Sequence, residues 1–110
     1  MDDKLLAEIL DFRDAREWKK FHNPKDLAIS ISLEASELLE NFQWSTSSEA
    51  VLTKKESIFD ELADVLIYCV MMADSLGVDI CSIVAKKIAQ NAIKYPVEKA
   101  LGKKEKYTDL

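Results

Sequence analysis

The sequence predicts an all-α fold of four helices, and three observations lead there. Only two glycines and two prolines occur in 110 residues, too few turn formers for a sandwich or a barrel. Apolar residues recur at helical spacing along most of the chain, as in helices that bury one face. Start and stop signals punctuate that pattern at Asn23–Pro24, Ser47, Ser48, Gly77 and Asp79. The apolar fraction is 48%, which argues against disorder. The length fits a single domain over residues 1–110.

The first helix is expected over about residues 3–20, with Leu5, Leu6, Ile9, Phe12 and Arg16 at helical spacing. FHNPKD interrupts it. Asn23 reads as an N-cap and Pro24 as the first helical residue, because proline has no N–H to lose there. A second helix then runs to about Trp44, and STSSEA offers Ser47 or Ser48 as the next cap. A third helix covers about residues 50–75 and stops near Gly77. Asp79 caps a fourth, which ends before Pro96. Residues 97–110 are polar and read as a surface tail.

The net charge of −5 argues against a nucleic-acid polymer as partner, since sequence-independent binding needs clustered Lys and Arg. MDDKLLAEIL lacks the charge pattern and apolar core of a signal peptide, and no apolar run reaches the roughly 20 residues that span a bilayer. Cys69 and Cys81 both fall in apolar helical patterns and are expected to be reduced core thiols of a cytoplasmic protein.

The acids carry the functional signal. With about 100° per residue, Leu27, Ile31, Leu38 and Phe42 form an apolar stripe on the second helix, with Glu34 and Glu37 on its edge. On the third, Glu61 and Asp64 are neighbours at i and i+3, Tyr68 stands one turn on, and apolar residues fill most of the remaining circumference. A carboxylate buried without a partner costs several kcal/mol. Two such pairs on antiparallel helices bring four carboxylates toward one point, where they repel unless a cation intervenes. The only histidine is His22, in the break before the second helix. An all-oxygen ligand set favours Mg²⁺, with Mn²⁺ as a substitute, over iron or zinc. The plainer reading of any one such pair is a solvated helix face, and Glu40 fits that reading as well as an accessory role.

LEASELLENFQW, DELADVLIY and QNAIKYP, in that order, resemble the MazG-like all-α nucleoside triphosphate pyrophosphohydrolases, whose signature is ExxE, a gap, then ExxD. REWKKFHNPKDLA and the terminal KYTDL resemble the dCTP pyrophosphatase branch. The resemblance covers about residues 8–110. It implies Mg²⁺-dependent cleavage of a nucleoside triphosphate, dCTP or a modified or non-canonical dNTP, to the monophosphate and pyrophosphate, in control of the nucleotide pool. Glu34, Glu37, Glu61 and Asp64 match the metal ligands. Glu37 or Glu34 would orient the attacking water. Trp18 and Trp44 match positions near the base and Asn91 a nucleotide contact, with Tyr68, Lys87 and Tyr95 as phosphate or sugar contacts. Two departures stand out. Leu33 precedes Glu34 where many members carry a second Glu, and Ile9 stands where a vertebrate relative has a base-contacting histidine.

The near-continuous apolar surface of the third helix also predicts a subunit interface. The family forms dimers or dimer-based tetramers, so a MazG-like bundle assembling as a homodimer or dimer of dimers is expected. The competing readings are a non-catalytic helical interaction module and a nucleotide sensor, each with a structural cation at the acids.

Overall fold

A computed structural model describes residues 1–110. All regular structure is helical: α1 (Asp3–Ala15), α2 (Pro24–Glu40), α3 (Ser47–Thr53), α4 (Lys55–Ser75), α5 (Ile80–Lys94) and α6 (Val97–Ala100), with 3₁₀ turns at Trp18–Phe21 and Tyr107–Asp109. The chain divides into two compact units, Met1–Gly77 and Val78–Leu110. No single helix is long and apolar enough to cross a membrane.

The all-α expectation holds, and the count rises from four helices to six. The first expected helix stops at Ala15, and Trp18–Phe21 continues as a 3₁₀ turn because Glu17 adopts a left-handed conformation, φ 54°. The third splits into α3 and α4 at Lys54, whose backbone leaves the helical region at φ −126°, ψ 28°. The expected surface tail contains α6 and a 3₁₀ turn.

Local chemistry explains most boundaries. Asn23 accepts a bond from the Asp26 N–H with Pro24 in the first turn, and Asp79 caps α5 by accepting from the Ser82 N–H. The cap of α3 is Thr46, whose hydroxyl accepts from the Glu49 N–H, and not Ser47 or Ser48. Gly77 ends α4 at φ 67°, where a side chain would be strained.

In the first unit α2 packs along α4, and α1 and α3 each pack against α4. Leu27 is 1% exposed, and Ala50, Val70, Met71 and Ala73 are buried with it. Ile31, Leu38 and Phe42 are half-buried, as the expected stripe requires. On α1 the inward face is Leu6, Ile9, Leu10 and Arg13, whereas Leu5 and Phe12 are exposed. Arg13 is the buried cation of the fold, 3% exposed. Its Nη1 donates to Asp74 Oδ2 at 2.7 Å and its Nε to Asp14 Oδ1 at 2.9 Å. The Asp74 pair ties α1 to the end of α4.

The second unit contains α5, α6 and the terminal 3₁₀ turn. Tyr95 and Tyr107 pack edge to face at 6.0 Å, with Lys94 Nζ 5.0 Å from the Tyr107 ring. The two cysteines are unpaired, and Cys81 on α5 is exposed, which corrects its assignment to the core; Cys69 is half-buried.

Arg13→Ala is expected to cost about 2–3 kcal/mol in urea unfolding. Breaking a fully buried pair costs about 3–5 kcal/mol, and Asp74 keeps about a third of its side chain in water. Lys4→Ala, on the same helix, is expected to stay within about 0.5 kcal/mol of wild type.

Candidate metal and nucleotide site

The four predicted acids project from the seam between α2 and α4. Carboxylate oxygens of Glu34, Glu61 and Asp64 lie within 4.8 Å of one another. Glu37 lies outside that trio, one turn along α2 from Glu34, close enough to raise the affinity of both Glu34 and Glu61 for protons. The i, i+3 spacing of each pair puts both members on one helix edge, and packing of the two helices makes the edges meet.

The electrostatics show the strain of that arrangement. Burial, followed by Glu37 and then Asp64 and Glu61, pushes the Glu34 carboxyl from its ordinary 4.5 up to about 7. Glu61 is also raised, first by Glu37 and then by desolvation. Oε2 of Glu34 and Oε2 of Glu61 are buried without any hydrogen-bond partner. A buried acceptor with nothing to accept from is a liability unless a ligand serves it. Hard carboxylate oxygens in this number suit a divalent cation such as Mg²⁺ or Mn²⁺, so the residues present fit that ion.

The acids stand between two cavities. Asp64 lines a pocket of about 430 Å³ with Ile9, Phe12, Trp18, Tyr68 and Met71. Glu37 and Glu61 line an open groove of about 800 Å³ with Asn41, Lys54, Lys55 and Ser57. Trp18 is braced on the apolar side: Phe12 packs edge to face against it at 5.7 Å, and the Arg16 guanidinium sits 3.7 Å from the Phe12 ring centre. Burial, then Glu34, Asp64 and Glu37, holds the Tyr68 phenol above its usual pKa, so it stays a neutral donor at physiological pH.

Trp44 is 94% exposed in a left-handed turn, φ 63°, and does not line the pocket that holds Trp18. Lys87, Asn91 and Tyr95 belong to the second unit; the two on α5 are exposed and Tyr95 is half-buried. His22, in the break before α2, places its ring 6.4 Å from Tyr68, with Nδ1 buried and unpartnered. Burial and Arg13 keep its pKa below the ordinary value. Sequence reasoning missed this neighbour of Tyr68, because 46 positions of chain separate the two and only folding brings them together. It also missed the Lys54 side of the groove.

A MazG-like family model matches residues 29–110. The chain is 36% identical over 105 residues to dCTP pyrophosphatase 1 of Mus musculus and 35% identical to that of Homo sapiens. Each match takes in 91% of this chain but 62% of the relative, so the chain spans under two thirds of those proteins. The crystal structure of a pyrophosphatase from Archaeoglobus fulgidus superposes with a TM-score of 0.79 at 43% identity, covering 86% of this chain and 91% of that one.

The raised carboxyls set a pH dependence for the metal-free protein. Between 4.5 and about 7 native Glu34 holds more proton than the unfolded chain does, so stability falls as pH rises through that window. Asp14 and Asp79 are lowered from 3.8 and act below it. His22, lowered from 6.5, opposes Glu34 within the window but is common to wild type and variant. In EDTA the melting temperature gained by Glu34→Gln over wild type is expected to be a few degrees larger at pH 8 than at pH 5, read by circular dichroism.

Proposed function

The chain belongs to the MazG-like family, and from that premise we propose that it is a divalent-metal-dependent nucleoside triphosphate pyrophosphohydrolase. Its substrate is dCTP or a modified or non-canonical dNTP, its products the nucleoside monophosphate and pyrophosphate, and its role control of the nucleotide pool. The observation that carries this reading is the meeting of Glu34, Glu61 and Asp64 within 4.8 Å, beside a pocket walled by Trp18 and Tyr68. Identity to the mammalian dCTP pyrophosphatases supports the substrate class.

The residues divide the work. Glu34, Glu61 and Asp64 would hold Mg²⁺, with Glu37 completing the set. Bound there, the ion supplies positive charge to the phosphoryl oxygens and fixes their position. Attack on a phosphoryl group depends on positioning and charge neutralisation more than on covalent help. Glu37, outside the close trio, is the carboxylate least committed to the ion and would orient a water and accept its proton. The water oxygen bonds to the α-phosphorus, the bond from that phosphorus to the bridging oxygen breaks, and pyrophosphate leaves with the electron pair. Trp18 offers a face for the base, and stacking on an aromatic is worth about 1–3 kcal/mol per base in single-strand binders. Tyr68 donates to a phosphate or sugar oxygen. The resemblance adds Lys87, Asn91 and Tyr95 as further nucleotide contacts.

Leu33, Leu39, Leu62 and Leu66 are exposed along α2 and α4, as is Trp44. That is more unpartnered apolar surface than an isolated domain carries. A homodimer or homotetramer that covers it accounts for Trp44 as well. Sedimentation equilibrium is expected to return two or four chains per particle, and a concentration-independent monomer would remove this part of the proposal.

Pyrophosphate release from a panel of canonical and modified dNTPs and NTPs tests the activity. Release is expected with Mg²⁺, none with EDTA, and at least about a 100-fold loss in Asp64→Ala, since even outer-shell partners of a metal are worth about 10–100-fold. A folded wild-type protein that releases none from any nucleotide would point to a binding module instead.

A further inference from the structure

One face of α4 carries a sequence of side chains that the acids alone do not explain. Lys54 at the N-cap, then Ser57, Glu61, Asp64, Tyr68 and Met71 on α4, follow one another at alternating steps of three and four residues, so the five on the helix form a single stripe. The first three line the open groove and the last three the apolar pocket. A cation and a hydroxyl stand at one end, carboxylates in the middle, and a phenol and thioether at the other.

We propose that Lys54 and Ser57, with Lys55 beside them in the groove, form the subsite for the two terminal phosphates, the part of the substrate that leaves as pyrophosphate. This rests on the hydrolase reading above. With the base on Trp18 in the apolar pocket and Tyr68 on a phosphate or sugar oxygen, the polyphosphate tail crosses the carboxylates and emerges in the groove. Lys54, the N-cap residue of α4, lines the same groove as Glu61.

Both lysines are available. The ion pairs of the protein all involve Arg13, so Lys54 and Lys55 have no carboxylate partner, although Glu37, Glu40, Glu56 and Glu61 line the same groove. Lys55 Nζ reaches only the Phe59 ring, 5.8 Å from its centre. The Ser57 hydroxyl makes no hydrogen bond within the chain, being absent from every side-chain pairing around the α3–α4 break. An ammonium is a point-charge phosphate binder, and a free hydroxyl adds a donor. The subsite also selects for substrate length: a nucleoside monophosphate reaches the carboxylates but not Lys54, so product is held less tightly than substrate.

Calorimetric titration of inorganic pyrophosphate with Mg²⁺ into the full chain tests the subsite without turnover. Lys54→Ala is expected to weaken pyrophosphate binding about tenfold, and Lys54→Ala with Lys55→Ala further. Lys54→Arg should stay within about threefold, and Lys4→Ala should match wild type. Binding of the nucleoside monophosphate should be unchanged in all of them, and in turnover KM for the triphosphate should rise more than kcat falls. If the alanine variant melts early, Lys54→Gln replaces it. Pyrophosphate binding that is the same in wild type and in the Lys54 and Lys55 variants overturns the subsite while leaving the hydrolase reading intact. Lysine-dependent pyrophosphate binding in a protein that hydrolyses nothing does the reverse.

Discussion

Repulsion among carboxylates is the constraint around which the first unit is arranged. Glu34, Glu61 and Asp64 are held within 4.8 Å, with Glu37 pressing on two of them. Left to themselves the acids would push α2 and α4 apart. What opposes them is the apolar seam between the same two helices, with Leu27 at its buried end. The ion pair of Arg13 with Asp74 adds a restraint remote from the acids, fixing α1 to the end of α4. The rest of the unit therefore bears the cost of the cluster.

Backbone strain falls near the same site. The two left-handed residues other than glycine are Glu17 and Trp44, one just before Trp18 and one a tryptophan itself. Such conformations cost on the order of 1–2 kcal/mol and persist only where the surroundings impose them. At Glu17 the turn brings Trp18 back against Phe12 and into the pocket beside Asp64. At Trp44 the same device turns the ring out to solvent.

Several features were legible because they depend on neighbours in sequence. The Asn23–Pro24 start, the Asp79 cap and the stop at Gly77 are local hydrogen-bonding and φ preferences. The break at Lys54 was not legible, because no glycine or proline marks it. Thr46 was overlooked in favour of its serine neighbours, although Thr46 and Glu49 have the spacing of a capping box. Arg13 lay on the apolar face of α1 at i+3 from Leu10. Its role needed Asp74, 61 positions away.

By itself the sequence determined the helical class, the pairing of acids on two helix edges and the all-carboxylate character of the cluster, since all of these follow from a 3.6-residue period and from side-chain chemistry. Only the tertiary structure decided that Glu37 stands outside the close trio, that Trp18 joins the acids while Trp44 does not, and that His22 lies against Tyr68. It also decided that a lysine-bearing groove opens on the far side of Glu61. Each of these depends on how two helices pack, and a small change in packing moves a side chain by more than the length of a hydrogen bond, which no local pattern encodes.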